Sequence, residues 1–72
     1  MTGITLSPRE LQVITRIAMG QTEGQIALDL GLARSTIVRV KRNIRRKCDT
    51  YSMPHTVYVV TMAGLIEMTQ KE

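Results

Sequence analysis

Neither tryptophan nor phenylalanine occurs in this chain, and tyrosine occurs only twice. A core without such rings has to be filled by aliphatic side chains, which suits packed helices better than a sheet sandwich. Cysteine occurs once, at Cys48. That excludes an intramolecular disulfide and any multi-cysteine metal site, so neither metal nor cofactor is expected. A lone thiol also suits a reducing, cytoplasmic setting. No apolar run approaches the roughly 20 residues a membrane helix needs, so no membrane-spanning role is expected. Residues Met1 to Leu6 lack the basic and apolar regions of a signal peptide. Repeats, linkers and low-complexity tracts are missing too, and 72 residues read as one domain, 1–72. A domain this short buries only about 60% of the surface its unfolded chain exposes. It must pack economically or gain stability from a partner.

What the chain does have is positive charge. Ten Lys and Arg stand against six Asp and Glu, for a formal net charge of +4. Seven of the ten fall between Arg34 and Lys47, and no acid interrupts them. This points to a polyanionic partner: nucleic acid first, an acidic membrane or protein surface second. The hydrophobic fraction of 43% is too high for a disordered chain.

Capping signals divide the chain into four helical segments, an all-α fold. Ser7-Pro8-Arg9-Glu10 reads as a capping box with proline at the first helical position. Leu11, Ile14, Ile17 and Ala18 then recur at helical spacing until Gly20. Thr22 and Gln25 form a second box, opening a short helix with Ile26, Ala27 and Leu30 on one face and Gly31 as its stop. After the turn Gly31-Leu32-Ala33, a third helix covers about 34–48. A short helix, a tight turn with glycine and a longer basic helix make a helix-turn-helix. The fourth helix starts at Ser52-Met53-Pro54 and stops at Gly64. Its run Val57-Tyr58-Val59-Val60-Thr61 also reads as a strand. The proline start, the glycine stop and the lack of a pairing strand favour helix.

At 100° per residue, Ile37, Val40, Ile44 and Cys48 share one stripe of the third helix about 80° wide. Ser35, Arg39, Arg42 and Arg46 fall on the opposite side, with Lys41, Arg45 and Lys47 on the flanks. A helix entering the major groove needs this division, a packed stripe behind and long donors in front. Arginine matches guanine O6 and N7 in a bidentate pair, so Arg39 and Arg42 are the expected base readers, and Val38 can touch a thymine methyl. Ser35, Thr36, Lys41, Arg45, Arg46 and Lys47 suit phosphate oxygens.

These residues resemble the LuxR-type (GerE/FixJ-type) helix-turn-helix domain of bacterial transcription regulators. The resemblance runs from Leu6 to Ile66 without a gap. Leu6-Ser7-Pro8-Arg9-Glu10 looks like the family's L-[ST]-x-R-E opening, and Val13, Ile17-Ala18 and Gly20 follow in register. Ile26-Ala27 with Leu30 matches I-A-x-x-L, Thr36-Ile37 matches T-V, and Asn43-Ile44 with Lys47 matches N-I-x-x-K. Gly64-Leu65-Ile66 matches a common ending. The resemblance implies a four-helix LuxR/GerE-like domain whose third helix reads the major groove and whose fourth often joins two copies. It implies Val38, Arg39 and Arg42 toward bases and Thr36 on a phosphate. Most members carry a receiver or sensing domain before this one; a start at Met1 suggests a stand-alone regulator, with a fragment as the alternative.

Three departures stand out. The usual S-N-K-E is Thr22-Glu23-Gly24-Gln25, so a lysine that often meets DNA is absent and Glu23 is expected to add repulsion. The usual serine cap of the recognition helix is Ala33. The common T-V-K-x-H is Thr36-Ile37-Val38-Arg39-Val40. Site preference should therefore differ from the family average.

The fourth helix is apolar around most of its circumference, so one side should meet another chain. A two-fold homodimer through Tyr58, Val59 and Met62 is expected. His55, the only histidine, lacks a nucleophile or co-ligands, and Glu10, Glu23, Asp29 and Glu67 form no pair at catalytic spacing. Nothing reads as an enzyme. The expectation is a transcription regulator of a bacterium or phage that docks on double-stranded DNA. RNA polymerase and another LuxR-type regulator are the protein partners such a domain would meet. The alternatives are a truncated family member that inhibits a full-length regulator through the fourth helix, and a sigma region-4-like domain.

Overall fold

Three of the four helices begin where a side chain takes up orphan backbone N–H groups. The computed structural model describes residues 3–66, with helices α1 (Pro8–Ala18), α2 (Glu23–Leu30), α3 (Arg34–Cys48) and α4 (Met53–Met62). Ser7 Oγ accepts from the Glu10 N–H at 3.1 Å, and Glu10 Oε1 accepts from the Ser7 N–H at 2.8 Å. Thr22 and Gln25 repeat that reciprocal box at the start of α2. Ser52 Oγ accepts from the His55 N–H at 3.3 Å, opening α4. Only α3 lacks a side-chain cap, because Ala33 holds the extended cap conformation without an acceptor.

All four helices end alike. An N–H two or three residues past each helix returns to a carbonyl five positions back: Gln21 to Arg16, Leu32 to Ala27, Thr50 to Arg45 and Leu65 to Val60. The residue between must turn left-handed. Three times it is glycine, but after α3 it is Asp49, at φ 57°. Aspartate tolerates this region better than most side chains, because its short polar group can bond locally.

Helix α3 runs through the middle and touches the other three helices. Its stripe Ile37, Val40, Ile44 and Cys48 is buried and meets Val13 and Ile14 of α1, Ile26 and Ala27 of α2, and Val60 of α4. Ile14, Ile26, Ile37 and Ile44 are wholly shielded from solvent. Burying each such side chain contributes roughly 1.5–3 kcal/mol. The core is aliphatic, as the lack of aromatic residues requires, and both tyrosines sit at the surface. The stretch 57–61, which also read as a strand, is helical. With no strand among the described residues to pair with, its backbone groups are satisfied only by a helix.

A polar pair ties α4 to the end of α3. Thr56 is wholly buried and donates its hydroxyl to the Ser52 carbonyl at 2.6 Å. That commits its one proton, so the buried Thr50 hydroxyl donates to Thr56 Oγ1. Among the described residues no helix is long and apolar enough to cross a membrane.

Candidate nucleic-acid interface

Packing one stripe of α3 against three helices leaves its opposite side outward. Ser35, Val38, Arg39, Arg42 and Arg46 are exposed there, while Thr36 and Arg45 are half-buried. The structure therefore brings Val38, Arg39 and Arg42 onto one solvent-facing surface, with Ser35 at its start and Arg46 at its end.

The flanks differ from the front, because carboxylates from the neighbouring helices hold both lysines. Lys47 Nζ donates to Glu10 Oε1 of α1 at 2.8 Å. Lys41 Nζ donates to Glu23 Oε2 of α2 at 2.6 Å, and the Lys41 side chain is 19% exposed. Glu23 Oε1 also lies 3.8 Å from Nη2 of the freely exposed Arg34. The expectation that Glu23 adds repulsion needs correcting: its charge is matched at short range by Lys41 and, more loosely, by Arg34.

These ties shift the acids. Burial works against the Glu10 anion, but the bond from Lys47 and the backbone bond from Ser7 outweigh it and hold the carboxyl below 4.5. The bond from Lys41 holds Glu23 below 4.5 as well. Burial, with the Glu10 charge adding to it, pushes the Cys48 thiol above 9.0. Cys48 is thus a small apolar filler rather than a thiolate. Among the described residues no cluster of His, Cys, Asp or Glu could hold a metal ion. Glu67 lies outside the described residues.

The result is a sorted set of cations. Arg39, Arg42, Arg45 and Arg46 carry no carboxylate partner among the described residues. Arg45 instead rests its Nη1 on Met53 Sδ at 3.5 Å. Where α3 ends, Arg42, Arg45, Arg46, Asp49, Thr50 and Tyr51 line a shallow hollow of about 300 Å³. Tyr51 is 93% exposed at its rim. Sequence reasoning passed over Tyr51 and Asp49, although the aspartate stands where the other helices have a stopping glycine. It also named Glu10 and Glu23 without their pairing to Lys47 and Lys41, since partners 37 and 18 residues apart leave no local spacing to read.

On α4, Tyr58 and Met62 are exposed on one side, one turn apart. Val59 is half-buried and packs against the core, so it joins that surface only at its edge.

The family model for bacterial regulatory proteins of the luxR family matches residues 4–60. The HTH-type quorum sensing-dependent transcriptional regulators VjbR of Brucella ovis, Brucella abortus and Brucella melitensis are each 32% identical over 65 residues, which is 90% of this chain and 25% of theirs. The chain thus spans about a quarter of the length of these relatives. No solved structure matches it.

Proposed function

The chain belongs to the luxR family of bacterial regulatory proteins, and from that premise we propose that it is a sequence-specific regulator docking as a homodimer on promoter DNA, with α3 in the major groove. The observation that carries this reading is the outward face of α3. It presents Arg39 and Arg42 free of carboxylates among the described residues, while the opposite stripe is locked into the core. Long donors on a rigid helix are what base-edge recognition needs.

In this reading Arg39 and Arg42 take guanine edges and Val38 meets a thymine methyl. Ser35, Thr36, Arg45 and Arg46 contact phosphates, while Lys41 and Lys47, held by acids, contribute mainly through the field of the helix. The exposed Tyr58 and Met62, with Val59 at their edge, join two copies through α4. Such a dimer would read two half-sites about one DNA turn apart. In this reading residues 1–72 form one DNA-binding domain that works in the cytoplasm on the nucleoid, by binding rather than by catalysis.

The test is a salt titration of binding to promoter-like and scrambled duplexes. Specific binding requires an affinity gap between the two and a steep negative salt slope, roughly 0.9 per phosphate neutralised. A folded protein that binds neither duplex at about 50 mM salt, where phosphate contacts are strongest, refutes the reading. The exposed α4 face would then favour an inhibitor that pairs with a full-length regulator.

A further inference from the structure

The first carboxylate of α2 sits where it controls a charge on α3. Glu23 is 28% exposed, and its Oε2 holds the Lys41 ammonium at 2.6 Å. Lys41 lies along the seam between the two helices of the helix-turn-helix, with its side chain 81% covered by the protein, the complement of its 19% exposure. For Lys41 to reach a phosphate it would have to leave the seam and abandon Glu23. The carboxylate would keep only Arg34, at 3.8 Å and on a side chain 71% exposed. It would also stand near a phosphate of like charge. One charge-assisted bond would be gained and another lost, with no net charge freed to displace counterions.

We infer that Glu23 sets the general DNA affinity of this domain by withholding Lys41 from the phosphate backbone. The inference rests on the DNA-binding reading above. Phosphate contacts carry no sequence information. Glu23 therefore adjusts how tightly the domain holds any duplex and how strongly salt weakens it, and leaves discrimination to Arg39 and Arg42. It is a positioning residue, acting on DNA through another side chain.

The experiment compares wild type, Glu23→Gln and the double variant Glu23→Gln/Lys41→Gln. Each is titrated with salt on specific and scrambled duplexes, with thermal melts to establish folding. Glu23→Gln should bind both duplexes more tightly and steepen the salt slope by about 0.9. Between 50 and 200 mM salt its affinity should fall about 3-fold further than that of wild type. The specific-to-scrambled ratio should not change, and the double variant should return to the wild-type slope.

An unchanged slope in Glu23→Gln overturns the inference and leaves the DNA-binding reading intact. A steeper slope that persists without Lys41 overturns it too, because another cation was then released. Should Glu23→Gln fold poorly, the side-chain NMR signal of Lys41 in wild type decides, with the ion pair expected to survive addition of duplex. Loss of that pair on binding refutes the inference. A folded wild type that binds no duplex removes both readings together.

Discussion

The Lys47 ammonium lies 2.8 Å from Glu10 Oε1, the same oxygen that accepts the Ser7 N–H at the start of α1. One carboxylate oxygen therefore caps one helix and fastens the last turn of another, 37 residues away. Glu10 is nearly buried, whereas the Lys47 side chain is 44% exposed. Solvent screens the pair, so it is weaker than a buried one. Lys47→Gln should destabilise the domain by about 1 kcal/mol. In a chain of this size that lowers Tm by roughly 4–8 °C. A double-mutant cycle with Glu10→Gln measures the coupling; strictly additive losses would mean that the pair contributes nothing.

Stability should depend on pH at both ends of the range. Glu10 and Glu23 are held below their ordinary 4.5 in the folded state. A lowered carboxyl contributes stability that is fully present above 4.5 and lost as pH falls through the folded values. Cys48 is raised above 9.0, so its contribution is complete below 9.0 and lost as pH climbs through the folded value. Denaturant midpoints should therefore be flat between about pH 5.5 and 8 and decline on either side. Glu10→Gln and Glu23→Gln together should flatten the acid arm only; an acid arm of undiminished depth would disprove these assignments.

Ala33→Ser should stabilise the protein. Residue 33 already has the extended cap conformation, at φ −72° and ψ 150°, and lacks only the acceptor. Supplying it adds about 1 kcal/mol, read as a rise in Tm. No rise would show that solvent already satisfies the first turn of α3.

Two of the exposed arginines, Arg42 and Arg46, should fail differently. Arg42→Ala should cost about 1–3 kcal/mol on the specific duplex and narrow the gap to scrambled DNA. Arg46→Ala should weaken both duplexes alike and reduce the salt slope by about 0.9. Equal losses on both duplexes for Arg42→Ala would remove it from the base readers.

Tyr58→Glu should shift sedimentation toward the monomer and leave the Tm of the monomer unchanged, because Tyr58 is 62% exposed and carries none of the core; losing the dimer lowers Tm only at concentrations where the dimer is populated. Val59→Glu should also lower Tm, because half of Val59 faces the core. An unchanged monomer–dimer balance in Tyr58→Glu would exclude this face as the dimer contact.

The helices themselves were legible because their signals are local. Ser7 with Glu10 and Thr22 with Gln25 lie three residues apart, so each box can be read directly off the chain. The stripe Ile37, Val40, Ile44 and Cys48 follows from the helical period alone, and its burial fixes which side of α3 faces out. Composition decided that the core would be aliphatic. The family resemblance also lay within reach, since its motifs keep their order and spacing from Leu6 to Ile66.

Only the tertiary structure decided which cations are free. Lys41 and Lys47 look like Arg42 and Arg46 in sequence: basic residues in a run that no acid interrupts. Packing α1 and α2 against opposite flanks of α3 brings Glu10 and Glu23 to the lysines and leaves the front arginines without a carboxylate partner among the described residues. Docking of α4 against α3 and α1 turned Val59 partly inward and left Tyr58 and Met62 outside. Local sequence determines what a helix is and which stripe it buries, because those depend on neighbours three or four positions away. Charge pairing across helices depends on docking geometry, and nothing local in the chain records it.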